Sequence, residues 1–449
     1  MASVIKIYAL FLGSALLMFG GGLQGLLLSV RGAEEGFSLL ALGLIGTGWS
    51  VGFVAGSIGV PMVVRKVGHI RAFSVMAAIG TVTILLNLML VNDVSWIVLR
   101  ALSGFCFAGA AMIVESWLNE VVDNKSRGTI FSIYVTINMA ASTIGQLTMS
   151  MTGTAGYIPF VVGAISFICA LLPTALTSSP QPRPLSSAKI DLGLLFRTSP
   201  VAGVAAFACG MANGAFGTLA PVYGHQQGLD ASGISFLFAI AAILGAVGQI
   251  PFGRLSDRID RRLVLIGLAT AASAIGLLAV LINPSAGWLM FVLFAAYGFT
   301  ANPIYAVAVA HANDFAVDGG FAKIASGMLL TMGLGLAVGP AVASMIMGAW
   351  SPVGLFVVTA TFHGLLALFA YWRMTVRKSK DAASRTPFQP MTDNQSTLEA
   401  IGLDPRTDID SPATEFDERE APVPEELATK PDEPVGPREE KRDVQDGTV

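Results

Sequence analysis

Apolar residues fill stretches near 5–30, 38–64, 72–91, 94–119, 128–152, 156–177, 199–223, 231–252, 263–283, 286–310, 322–348 and 353–373, with short polar links between them. A helix rising about 1.5 Å per residue needs about 20 residues to cross hydrocarbon. Strands or open loops would leave backbone groups unpaired there. The pattern therefore predicts an all-α membrane protein of twelve transmembrane helices, with the lipid bilayer as its main surroundings. Lys6 precedes the first apolar stretch as it would in a secretory signal, but Gln24 interrupts that stretch and no small-residue cleavage pattern follows, so it reads as a permanent helix. Residues 178–198, with Pro180, Pro182 and Pro184, form the one long internal link and divide the spans six and six. The expected organisation is an N-terminal six-helix lobe (1–177), a cytoplasmic linker (178–198), a C-terminal six-helix lobe (199–373) and a tail (374–449).

A single offset of 192 residues lays the halves on one another in several places. It pairs Gly22, Gly25 and Gly32 with Gly214, Gly217 and Gly224, Trp96 with Trp288, Lys66 with Arg258 and His69 with Arg261. Agreement across separate elements at one offset marks an internal repeat. Each copy has six spans and therefore keeps the same orientation in the membrane, so the two lobes are expected to be related by a pseudo-twofold axis along the membrane normal.

Composition agrees with lipid as the main solvent: 53% of residues are hydrophobic, 13% are charged and the mean hydropathy is +0.67. The net charge of -3 hides a division, because residues 381–449 hold 18 acids and 7 bases, leaving 12 acids and 20 bases for residues 1–380. With residue 1 in the cytoplasm, eighteen of those bases fall on the cytoplasmic side and Arg31 alone on the other. That asymmetry places both termini in the cytoplasm of a bacterial inner membrane. Low apolar content, prolines and acidic clusters make the stretch beyond about 374 a disordered acidic tail with no transport chemistry. Cys106, Cys169 and Cys209 lie inside apolar runs and imply no disulfide framework. No metal or cofactor is expected, since neither H-E-x-x-H nor a paired-cysteine motif occurs, and the missing G-x-x-x-x-G-K-[ST] loop argues against an ATP-driven pump. A membrane enzyme and a nucleic-acid partner are likewise not expected, and the chain is read as a monomer.

The segment GRLSDRIDRR at 253–262 resembles the signature loop of the major facilitator superfamily, G-x-x-x-D-R-x-G-R-R. It keeps Gly253, Asp257, Arg258, Arg261 and Arg262, with Asp260 at the usual second glycine. The N-terminal copy keeps Gly68 and Lys66, with Pro61 and Arg65 in place of the first glycine and the acid. The resemblance implies a gating role, in which Asp257, Arg258, Arg261, Arg262, Lys66 and Arg65 pair across lobes and with helix termini to favour an outward-facing state. LRALSG, with Arg100 and Gly104, resembles the family's R-x-x-x-G pattern, and GLAVGP at 335–340 resembles its G-x-x-x-G-P motif. Gly335 and Gly339 are expected to admit a close helix neighbour, and Pro340 to bend the span. ESWLNE at 115–120 and AHANDF at 310–315 place Glu115 and Asn119, and His311 and Asp314, at corresponding helix ends. Together these pairs resemble the YcaD-type branch of the superfamily.

Arg100 is the one base well inside a span, where an unpaired charge is costly. Gln24 lies at similar depth in the first helix. Arg100, Gln24, Glu115, Asn119, Asn213, Asn302, His311 and Asp314 are the candidates for lining a cavity or coupling transport to an ion. Arg100 and Glu115 stand fifteen positions apart on one helix, about 22 Å, and so cannot pair directly. Glu115 is the better proton carrier, since a buried carboxyl can take a proton whereas arginine stays charged. The expected function is secondary active transport of a small solute by alternating access, with a proton as the coupling ion. The rival reading is a non-transporting receptor or scaffold that recruits partners through its acidic tail.

Overall fold

The computed structural model describes residues 2–122, 126–175, 191–316, 321–376, 388–391 and 397, and every regular element among them is a helix. In the first lobe these are α1 (Ala2–Glu34), α2 (Leu39–Val67), α3 (His69–Met89), α4 (Asp93–Val121), α5 (Arg127–Thr152), α6 (Ile158–Cys169) and its continuation α7 (Leu171–Ala175). The short α8 (Leu192–Thr198) leads into α9 (Pro200–Gln226), α10 (Ala231–Arg258), α11 (Arg261–Ile282), α12 (Trp288–Asp314), α13 (Phe321–Ala349) and α14 (Gly354–Val376). Among the described residues, eleven helices are long and apolar enough to cross a membrane, and the shorter apolar stretch Ile158–Pro173 stands where the sixth span is expected. That span breaks after Cys169 because the Pro173 ring collides with the carbonyl four residues back and supplies no N–H to it. The prolines at 180, 182 and 184 and nearly all of the acidic tail lie outside the described residues.

Several helices run past the end of their apolar stretch. Hydropathy ends the eighth span near 252, yet α10 stays helical to Arg258 and α11 starts at Arg261, leaving Ile259 and Asp260 as the whole link. Charge stops a hydrophobic run without interrupting the bonds between each N–H and the carbonyl four residues back. The signature segment is thus mostly helix end. At the opposite end of the bundle, Ser38, Asn92 and Asp230 cap α2, α4 and α10, each accepting the N–H three residues on.

The packing repeats. In the first lobe α2 packs on α4, α1 on α5 and α3 on α6; in the second, α10 packs on α12, α9 on α13 and α11 on α14. Advancing each span by six turns one set into the other. Between lobes α2 meets α13 and α5 meets α10, and these two contacts also exchange, as a pseudo-twofold axis requires. The α9–α13 seam uses the G-x-x-x-G-P motif as expected: a Cβ on Gly335 would lie 2.5 Å from the Phe207 carbonyl oxygen, and one on Gly339 would overlap that of Met211. The outer surface carries exposed Val98, Ile243, Val247 and Leu368, an apolar belt suited to acyl chains.

The described contacts of α2 with the second lobe run from the end away from the basic helix ends to mid-helix, where Val54 lies against Gly333. The Thr47 hydroxyl donates to the Ala337 carbonyl at 2.6 Å, Gly43 lies against Ser344 and Pro340, and Gly46 lies against Thr218.

Candidate functional site

A cavity of about 240 Å³ lies between the lobes. Gly22 and Gly25 of α1 line one side, and their counterparts in the repeat, Gly214 and Gly217 of α9, line the other. Gly25 and Gly217 leave open the volume that side chains would fill, whereas a Cβ on Gly22 or Gly214 would meet the Ser142 or Leu336 carbonyl oxygen, so these two admit a close helix neighbour. Trp49, Phe216, Phe238 and Tyr297 form aromatic walls, with Phe216 stacked on Tyr297 at 4.6 Å between centroids. Polar groups come from Arg100, Gln146, Asn213 and Asn302.

Arg100 is 8% exposed and reaches the cavity from α4. Its Nη1 donates to Gln24 Oε1 at 3.2 Å, Ser103 donates to the same oxygen at 3.0 Å, and the guanidinium sits 5.7 Å from the Trp49 ring centroid. Arg100 Nε and Gln24 Nε2 are buried without a hydrogen-bond partner among the described residues. Gln24 therefore orients the cation without neutralising it. The depth match between these two residues, legible along the chain, is a contact in the fold.

Glu115 lies apart from this cavity. It is 2% exposed, and its carboxylate accepts hydrogen bonds from the hydroxyls of Tyr134, at 2.7 Å, and Thr397. Beside it the Ser14 hydroxyl donates to Asn138 Oδ1 at 2.8 Å, and Asn119 accepts from Arg127 Nη1 at 3.4 Å. Tyr134 and Thr397 escape sequence reasoning because they are 19 and 282 positions from Glu115, outside any local spacing rule.

At the basic end of the second lobe, Arg261 joins two carboxylates. Its Nε lies 2.8 Å from Asp314 Oδ2 and its Nη2 lies 3.3 Å from Asp257 Oδ1. Arg262 pairs with Asp260 at 2.7 Å, and Asp260 also accepts the Arg262 N–H to cap α11. Burial pushes the Asp260 carboxyl upward, but the hydrogen bonds and charge of Arg262 outweigh it and hold the group below its ordinary value. These ion pairs join elements of the second lobe to one another, whereas the signature loop leads one to expect pairs across lobes. Arg65, Lys66 and Arg258 are exposed. His311 is buried edge-on to Phe315, with centroids 5.1 Å apart. In the first lobe the position equivalent to Arg261 is His69, buried and stacked on Trp117 at 6.3 Å.

A two-lobed helical bundle around a central cavity defines the class of membrane transporters, and the chain belongs to the Major Facilitator Superfamily, whose family model matches residues 10–248 and 202–407. The second match begins 192 residues after the first (202 minus 10), the offset of the internal repeat. Its relatives are of the YcaD type. An uncharacterized MFS-type transporter of Enterobacter sp. (strain 638), Ent638_1421, is 28% identical over 77% of this chain and 89% of its own. The uncharacterized MFS-type transporter YcaD of Escherichia fergusonii is 25% identical over 78% and 90%. Among solved structures, the nucleoside transporter NupG superposes with a TM-score of 0.68 at 14% identity, over 84% of this chain and all of that one. A bacterial homolog of the human lysosomal transporter Spinster, in an inward-facing and occupied conformation, gives 0.65 at 16% identity, over 85% and 97%. At these identities the likeness is one of fold.

Proposed function

We propose that this protein is a secondary active transporter of the bacterial inner membrane, with both termini cytoplasmic, that moves a small amphiphilic solute bearing one carboxylate or similar anionic group by alternating access. The observation that carries this reading is Arg100, a buried cation on the interlobe cavity whose Nε has no partner among the described residues. A lone desolvated guanidinium is costly unless an anion completes it, and its planar fork suits a carboxylate. The aromatic walls suit an apolar body, and Asn213 and Asn302 suit a polar substituent. One cation favours a zwitterion or a singly charged solute over a multiply charged one.

The described contacts of α2 with the second lobe run from the end away from the basic ends to mid-helix, and basic ends belong to the cytoplasmic side. We therefore read this conformation as inward-facing. Glu115, buried against Tyr134, is the group we assign to carry the coupling proton.

A thermal-shift screen of the purified protein against a metabolite library tests the substrate class, because a ligand of the folded state stabilises it by mass action. Monocarboxylates and zwitterions are expected to raise the melting temperature of the native chain and to lose that effect in Arg100→Gln. If the stabilising compounds are cations, or the effect survives Arg100→Gln, the assignment of Arg100 is wrong.

A further inference from the structure

Two short pieces of the tail lie among the helix ends. The Phe388 N–H donates to the Asp257 carboxylate at 3.1 and 3.3 Å. The Met391 N–H donates to Gln249 Oε1 at 3.0 Å, and Gln249 Nε2 donates back to the Met391 carbonyl at 3.1 Å. Gln249, Gly253 and Asp257 are spaced by four residues and so form one stripe along α10. From Gln249 to Asp257 the helix rises about 12 Å, and three residues of extended chain from Phe388 to Met391 span about 10 Å. The stripe thus offers acceptors and a donor at the repeat of an extended segment. Between them Gly253 makes room for the Phe388 ring, which a Cβ there would overlap. Phe388 and Met391 also pack on the apolar core of the second lobe.

The same segment reaches the first lobe. Gln389 shares a recess with Gly128, Thr129, Ser132 and Ile133 of α5, and Thr397, 1% exposed, donates its hydroxyl to Glu115 of α4. The tail therefore touches both lobes at the basic end, beyond the described contacts of α2 with the second lobe.

We infer that the α10 stripe is a binding groove for the chain's own tail, and that the docked tail is an autoinhibitory strap holding the basic end of the bundle open. Alternating access requires that end to close, which brings α4 and α5 toward α10 and demands the space the tail occupies. A segment that fits only one of two states shifts the population toward it. Docking is intramolecular, twelve positions beyond the end of α14, so its effective concentration is on the order of millimolar. The strap also engages Asp257, the acid of the signature segment, and Glu115, so release of the tail removes a hydrogen-bond donor from each carboxylate and leaves Asp257 to Arg261 and Glu115 to Tyr134. This inference rests on the alternating-access reading, but its first test needs no substrate.

In full-length protein with Cys106, Cys169 and Cys209 replaced by alanine, Ser132→Cys and Gln389→Cys are treated in membranes with a short bismaleimide. An intramolecular cross-link is expected; its absence overturns the docking. Spin labels at Arg71→Cys and Lys323→Cys, exposed at the basic ends of the two lobes, then read the opening by pulsed electron resonance. Met391→Pro removes the N–H that Gln249 accepts, and Phe388→Asp removes the ring that packs on Gly253. Both are expected to raise the short-distance, closed population relative to the open one, Met391→Pro by roughly fivefold, the ratio set by the loss of one net hydrogen bond. Cross-linking with unchanged distance distributions in both variants overturns the inhibitory role while leaving the transport reading intact.

Discussion

Arg261 and Asp314 form a buried ion pair, Nε to Oδ2 at 2.8 Å with the side chains 1% and 3% exposed, that ties the start of α11 to the end of α12. Removing one partner of a buried pair costs about 3–5 kcal/mol, and Asp257, 3.3 Å from Arg261 Nη2 but 40% exposed, offsets only part of that loss, whereas removing both is far milder. Asp314→Asn is therefore expected to lower the melting temperature in detergent strongly, and the double variant Asp314→Leu with Arg261→Met to recover most of the loss. A double variant as unstable as the single one would show that Asp314 acts through other partners.

Asp257 meets both Arg261 and the Phe388 N–H, so its replacement has two opposed effects. In the strap proposal, loss of the tail contact frees the basic end to close; in the gating reading that the signature segment implies, loss of the acid disfavours the closed state. In a Met391→Pro background the tail contribution is already gone. There Asp257→Asn is expected to raise labelling of a cysteine at the basic mouth several-fold, reporting a shift away from the outward-facing state. Unchanged labelling reduces Asp257 to a residue that sets topology.

Glu115 accepts hydrogen bonds from two hydroxyls and lies away from the central cavity, a placement suited to a proton site that acts through conformational change. Once a solute is known from the thermal-shift screen, Glu115→Gln in proteoliposomes is expected to abolish accumulation driven by a pH gradient and to spare counterflow exchange. Normal accumulation in the mutant, or a flux that follows sodium instead of pH, removes the assignment.

Gly339 holds α13 against α9 so closely that a Cβ would overlap the Met211 carbonyl oxygen. Overpacking such a seam costs about 1–3 kcal/mol. Gly339→Val is expected to lower thermal stability by that amount, while Gly267→Val, on α11 where a Cβ meets nothing within 4 Å, is expected to leave it unchanged. Equal melting temperatures for the two variants would refute the close-packing account.

The chain by itself determined the spans, their number and the repeat, because bilayer thickness acts on hydropathy along twenty consecutive residues and needs no tertiary information. The matched glycines 22, 25, 214 and 217 and the depth shared by Arg100 and Gln24 were legible for the same reason: position along a straight helix is depth in the bundle. What hydropathy cannot register is which charged residues continue a helix, so Gly253–Arg258 read as a link although it is the end of α10. Only the tertiary structure decided the partners. Arg261 finds Asp314 at a separation of 53 positions, Glu115 finds Tyr134 and Thr397, and the tail finds the Gln249–Gly253–Asp257 stripe. Such pairings depend on the rotation of each helix about its own axis and on which lobe ends lie apart, and packing between helices sets both.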